Sequence, residues 1–510
     1  MRRLAALAGI LVLASALATV NPPVASSSNP DVDAPPGFVD VQLLAINDFH
    51  GQLAPPTGPT GGLAYLATHL GDLEADNPNT LFLSGGDLIG ASPIVSGLFH
   101  DEPTIEGMNL LGMDLAVVGN HEFDDGLVEL YRMQDGGCHP DGCQTGDVFE
   151  GADFRFLAAN VVGPNGHPIF PAYKVRSFAG ARIGFVGVVT QSTPRIVTPA
   201  AVAGLTFLDE VETVNRYVAK LKATGVNTVV VLYHGWPSPA MVTALDPAVR
   251  VVIGGHSHGV LFRRDGDVVV TMAGSAGRYI TDIDLTIDRS TGSATSVAAR
   301  NVPVTRGVSP DAPASELVAD YLALAAPLAN RVIGSITSDF NGPPLGTLIA
   351  DAQLEATASA TTGGAVVAFM NPGGVRDVLR YSQVSGGELP GEVTYGEVFS
   401  VQPFANTVVT KTMTGAMIEA VLEQGNLYDS TSLTYVRTPG PSGWDFSELK
   451  VNGVAVLPGA SYRVTMNSFL ADGGDGFTVF TQGTEPLVGV ADLDALVAYF
   501  GAHSPVAPVW

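Results

Sequence analysis

Five short apolar runs in this chain each end on residues able to hold a metal ion. They are VQLLAINDFHG (41–51), TLFLSGGDLIG (80–90), LAVVGNHEFD (115–124), NTVVVLYHGW (227–236) and VRVVIGGHSHG (249–259). The donors are Asp48, His50, Asp87, Asn120, His234, His256 and His258, with His121 beside them. All are oxygen or imidazole and none is a thiolate, which suits a hard or borderline divalent cation. There are more donors than one ion needs, so two ions are expected. Asp87 follows a Gly pair where the chain can bend, and its two oxygens can bridge both ions. A single histidine is most often a core or surface residue. Five of the ten histidines fall on the ends of apolar runs, and that coincidence carries the metal reading. His121 and Asp124 lie three residues apart in GNHEFDD, so the carboxylate can orient the imidazole if the turn is helical. Such a histidine can donate to a phosphoryl oxygen or protonate a leaving group.

The elements that must place these residues follow from the pattern. Consecutive Val, Ile and Leu residues read as strands buried on both faces. In an open α/β sheet, ligands collect outside the carboxyl ends of strands. VETVNRYVAKLKATG (211–225) reads as a helix, and residues 268–288 read as later, alternating strands. The expected fold class is α/β: a layered, mixed-sheet domain over 38–308, a linking helix over 309–330, and a second, α+β domain over 331–510.

The envelope agrees with a packed globular protein. The chain has 510 residues, of which 46% are hydrophobic and 59 are glycine. Arg2 and Arg3 precede an apolar, Ala-rich stretch with a small-residue cleavage site. Residues 1–25 therefore read as a signal peptide and 26–37 as a flexible leader. The apolar stretch is short against the ~20 residues of a membrane span, so the mature chain is expected to have none. The expected location is secreted, extracellular or at the cell surface. The two cysteines, Cys138 and Cys143, lie in GGCHPDGCQTG and read as a small disulfide. Metal binding by the pair is the rival, and His139 is the loop's one further candidate ligand. The formal charge is −25, from 25 basic and 50 acidic residues. That argues against a nucleic acid scaffold as partner, because phosphate backbones need a basic face. A phosphate ester can still bind where metals and arginines give local positive charge.

At these residues the chain resembles the calcineurin-like metallophosphoesterases and, within them, the 5′-nucleotidase family. NDFHG, GGDLIG, GNHEFD, YHG and GGHSHG match the blocks of the first domain in order. LGTLIADA (345–352), NPGGVRDVL (371–379), TYGEVFSVQPFANTVV (394–409) and NSFLADGGDGF (467–477) match the second. The resemblance implies one metal on Asp48, His50, Asp87 and His258, and another on Asp87, Asn120, His234 and His256. It leaves the ions' identity open among Zn, Mn, Mg and Ca. It implies His121 with Asp124 as the catalytic pair, Asn371 and Arg376 as substrate contacts, and Phe477 as a ring stacking on the base. The implied reaction is hydrolysis of nucleoside 5′-monophosphates. Alternatives are a 2′,3′-cyclic nucleotide phosphodiesterase, a nucleotide-sugar hydrolase, or a non-catalytic surface binding protein. The chain departs from the family pattern in three places. The second stacking aromatic is unclear, with Tyr428 or Leu427 nearest. Asp339, Phe340 and Asn341 stand where an arginine is expected, and no acidic ribose contact is obvious just after Phe477. The sequence does not fix the oligomeric state.

Overall fold

The computed structural model describes residues 37–440 and 443–509. The expected signal peptide and nearly all of the leader lie outside the described residues. In the first half, the apolar runs form two six-stranded mixed sheets. One runs Ser293–Pro303, Tyr279–Asp288, Phe38–Ile46, Thr80–Ser84, Leu115–Val117, Arg155–Leu157. The other runs Val260–Asp265, Val268–Ala273, Val249–Gly254, Thr228–His234, Ala181–Val189, Tyr173–Phe178. Their central strands are parallel, so the carboxyl ends of Phe38–Ile46 and Thr80–Ser84 share an edge, as do those of Thr228–His234 and Val249–Gly254. Antiparallel strands close the flanks.

The continuous apolar runs have a simple cause. Successive side chains point to opposite faces of a strand, and here both faces are covered. Leu43 and Ala45 face a core shared between the two sheets, together with Val230, Leu232, Val251 and Ile253. Leu44 and Ile46 face the helices outside the first sheet. Val229 and Val231 face Val214, Val218 and Leu221 outside the second. Those last three belong to helix Glu210–Ala223, which starts where the Asp209 side chain accepts from the Glu212 amide. The order of layers is helix, sheet, sheet, helix.

Helix Ala312–Ala329 follows. Asp311 caps it by accepting from the Ala314 amide at 2.9 Å. It packs on the first half through Ala314, Val318, Tyr321 and Ala325, and the Tyr321 hydroxyl donates to Glu106. Beyond it lies a five-stranded sheet ordered Tyr428–Asp429, Val367–Met370, Ser461–Asn467, Thr407–Thr414, Thr484–Ala491. Helices Gly342–Thr357 and Asp492–His503 cover one face. Helix Gly415–Gln424 and the segment from Leu470 to Phe480 cover the other.

Candidate metal centre and substrate cavity

The loops after strands Phe38–Ile46, Thr80–Ser84, Leu115–Val117 and Val249–Gly254, with the last residue of Thr228–His234, meet at one end of the first half. Chains turning there leave the strands sharply. Asp48, His50, Asp87, His256 and His258 all hold φ between 48° and 73°. Side chains other than Gly seldom adopt that left-handed region, and Asp and His tolerate it better than most. Conformations of this kind persist only where the surroundings over-determine them, and here they do. The Asp48 carboxylate accepts from the His256 amide at 2.9 and 3.0 Å. Glu122, fully buried, accepts from the amides of Asp87, Leu88 and Gly119. Asp87 accepts from the His121 amide at 2.9 Å. At Gly119 any Cβ would collide with the Asp87 carboxylate, which accounts for glycine there.

All seven expected ligands come together. His234 Nε2 lies 3.1 Å from both Asp87 Oδ2 and Asn120 Oδ1. His256 Nδ1 lies 2.8 Å from Asn120 Oδ1. His50 Nε2 lies 3.1 Å from His258 Nε2 and 3.7 Å from Asp87 Oδ2, and His258 Nε2 is 3.6 Å from Asp48 Oδ1. Bonds of ~2.0–2.2 Å to one ion leave neighbouring ligand atoms about 3 Å apart, so the donor set fits divalent cations. Two sub-clusters, Asp48–His50–His258 and Asp87–His234–His256, each offer convergent donors. Ring orientation is set from behind. His50 Nδ1 donates to the Gly90 carbonyl at 2.8 Å and His234 Nδ1 to the Gly85 carbonyl at 2.9 Å, which turns each Nε2 into the cluster. Burial holds His256 and His258 at about 4 and His50 well below its ordinary value, so all three stay neutral at pH 7. Burial pushes Asp48 up to about 7. Burial would also raise Asp87, but the charge of His234 and His121 outweighs it and holds the carboxyl well below its usual range.

His121 begins the single 3₁₀ turn His121–Phe123, and that turn gives the i, i+3 pairing expected from the sequence. Its Nδ1 lies 2.7 Å from Asp124 Oδ2. Burial lowers the affinity of His121 for its proton, yet Asp124 and Asp87 outweigh burial and leave it raised.

The second half supplies the opposite wall. A cavity of about 270 Å³ is lined by Asn120, His121, Asp124 and His256 on one side and by Asn371, Arg376, Phe404, Asn406, Asn467, Phe469 and Asp475 on the other. Asn371 donates to Asp475 Oδ2 at 2.8 Å and accepts from Asn467 at 3.0 Å. The Arg376 guanidinium stands 5.6 Å from the Phe404 ring, within the field of Asp87, Asp124 and Asp48. Phe404 in turn stacks on the His121 ring at 5.7 Å and 19°.

One residue expected at the site lies apart from it. Phe477 does not face the cavity. It is buried among Leu470, Ala471 and Phe480, and its ring closes over Gly425. The rings that reach the cavity are Phe404 and Phe469. Tyr428 packs on helix Gly342–Thr357 at Gly346, and Leu427 packs in the core, so neither supplies a second ring. Sequence reasoning also missed Glu122 and Asp475. Both lie inside quoted motifs, but no spacing distinguishes them from ordinary surface carboxylates. Cys138 and Cys143 are joined as a disulfide.

Residues 41–260 match the calcineurin-like phosphoesterase family, and residues 327–482 match the 5′-nucleotidase C-terminal domain. The chain belongs to the 5′-nucleotidase family. Endonuclease YhcR of Bacillus subtilis is 30% identical over 91% of this chain, and cell wall protein Lmo0130 of Listeria monocytogenes is 31% identical over 87%. The chain spans only 40% and 64% of the length of those two relatives. The crystal structure of a 5′-nucleotidase precursor from Thermus thermophilus superposes with a TM-score of 0.78 at 27% identity, covering 92% of this chain and 98% of that one. The family is one of phosphoesterase hydrolases. Among the described residues, no helix is long and apolar enough to cross a membrane.

Proposed function

We propose that the chain is an exported, metal-dependent phosphoesterase that hydrolyses nucleoside 5′-monophosphates. The observation that carries this reading is the placement of Arg376 and Phe404 directly across one cavity from the His121–Asp124 pair and the ligands Asn120 and His256. In this reading residues 38–308 hold the metals, 309–330 link, and 331–510 select the substrate.

Asp48, His50, Asp87 and His258 would hold one divalent ion, and Asp87, Asn120, His234 and His256 the other. Ions bound there would supply Lewis-acid charge to the phosphoryl oxygens and acidify an attacking water. The chain's own residues do the rest. Arg376 pairs with the phosphate as a bidentate donor. Asp124 accepts from His121 Nδ1, so the free Nε2–H of the imidazolium points into the cavity and can protonate the departing 5′-oxygen. Phe404 offers an apolar face to the nucleoside, and Phe469 lies on the same wall. Asn371 and Asp475 offer a donor and an acceptor suited to sugar hydroxyls.

The test is hydrolysis by chelator-stripped protein with ions restored singly, on nucleoside monophosphates, p-nitrophenyl phosphate and a bis-aryl phosphodiester. Metal-dependent release of phosphate from the nucleotides is expected, with the diester turned over far more slowly. A preference for the diester would replace the monoesterase reading with a phosphodiesterase one. Metal-independent turnover, or none on any ester, would remove the catalytic proposal.

A further inference from the structure

A second group of donors lies outside the cavity. Cys138 and Cys143 close a short loop, and the loop carries His139 and Asp141. The turn within it is fixed: the Gly142 amide donates to the His139 carbonyl at 2.8 Å. His100 reaches the same place from a distant corner of the chain, between helices Ile94–Gly97 and Glu102–Leu110. Its φ of 52° turns it out of the helical path. His100 Nε2 lies 3.0 Å from Asp141 Oδ2, and His139 meets the other oxygen of the same carboxylate. The two imidazole rings stack at 3.6 Å and 21°. One ligand atom from each of the three residues lies within 4.8 Å of the others.

Two imidazoles and one carboxylate are the donor set of a borderline divalent cation such as Zn²⁺. The disulfide fixes two of the donors in one turn, so little loop ordering remains to oppose binding. Asp141 is 60% exposed, which leaves the fourth position to water. We propose that His100, His139 and Asp141 form a further zinc-type site, separate from the centre at the strand ends. Its place in the fold gives it a structural role. The residue after His100, Asp101, accepts from the Gly90 amide at 2.9 Å, and the Gly90 carbonyl accepts from His50 Nδ1. An ion here clips the disulfide loop to the corner that supports the His50 loop.

The experiment is a metal count. Full-length protein is stripped with chelator, equilibrated with Zn²⁺, freed of loose ion and analysed for zinc per chain. Wild type should hold one ion more than His139→Ala and one more than Asp141→Asn. Asp87→Asn, which strikes the strand-end centre, should keep the extra ion. Co²⁺ substitution should leave a visible absorption band in Asp87→Asn that Asp141→Asn removes from the wild-type spectrum. Asp141→Asn guards against a folding failure of His139→Ala, because it changes one exposed oxygen. Unchanged zinc counts in folded His139→Ala and Asp141→Asn would overturn the site. A full count in Asp87→Asn would weaken the strand-end proposal and leave this one standing.

Discussion

The two walls of the cavity are built on different principles. Behind the first wall five of the seven expected ligands, Asp48, His50, Asp87, His256 and His258, sit on backbone in left-handed conformations, and their loops are tied by hydrogen bonds such as those to Asp48, Glu122 and Asp87. A shift of Asp48 or Asp87 would break several of these bonds, so those two positions are rigid. On the second wall the residues stand on ordinary backbone, apart from Asp475 at φ 54°, and are held by side-chain contacts such as Asn371–Asp475 and Arg376–Phe404. Charge has to be placed to a fraction of an ångström for phosphoryl chemistry. An apolar ring recognising a flat base has no such need. The difference teaches which wall should tolerate substitution and which should not.

Five substitutions probe that contrast. Asp87→Asn should strike hardest, since a neutral amide bridges two cations poorly. Activity should fall to background and the ions of the strand-end centre should be lost, while the ion at His100, His139 and Asp141 stays; normal activity or a full metal count would break the dinuclear assignment. His121→Ala should lower kcat by about 10² to 10⁴ with the metal count intact; a parallel loss of metal would make His121 a ligand instead. Arg376→Ala on the second wall should raise KM for nucleotides and for p-nitrophenyl phosphate alike. A charged hydrogen bond is worth ~1.5–3 kcal/mol, and both substrates carry the phosphate it pairs with. An effect confined to nucleotides would move Arg376 away from the phosphate.

The smallest activity effect sharpens the comparison most. Phe404→Ala should cost the nucleotide ~1–3 kcal/mol of binding and p-nitrophenyl phosphate less. Its counterpart, Phe477→Ala, should lower stability by ~3–5 kcal/mol, as for a buried ring, and leave the ratio of the two substrates unchanged. Thermal melts and the two KM values separate these outcomes. If Phe477→Ala alters the ratio and Phe404→Ala does not, the assignment of rings is reversed.

The same contrast explains what could be read from the residues alone. Strands such as Val249–Gly254 were legible because both faces are buried, so the run is apolar throughout and stops where the chain must turn. The ligands announce themselves because five of the ten histidines collect at such turns. Helix Glu210–Ala223 was legible from its spaced apolar residues and its acidic start. The second wall was not. Phe404, Phe469 and Phe477 look alike in sequence, and which of them faces inward depends on packing between segments far apart in the chain. Glu122 was hidden for a related reason. It acts on backbone amides, and backbone leaves no mark in the residue pattern. The group at His100 needed the fold, because His100 and Asp141 meet only through the corner at Asp101.

The left-handed ligand residues have one more consequence, in time. Their shape is imposed by hydrogen bonds within the chain, such as those to Glu122 and Asp48, and those bonds do not require an ion. A protein of this design should keep its empty loops in register after its ions are taken away. Refilling then becomes a matter of diffusion and dehydration, with no chain segment to refold. Where trace ions come and go, such a site recovers as soon as they return. Stopped-flow recovery of activity in stripped protein on adding ion should be complete before any change in circular dichroism; a slow phase shared by both signals would show that the loops had relaxed.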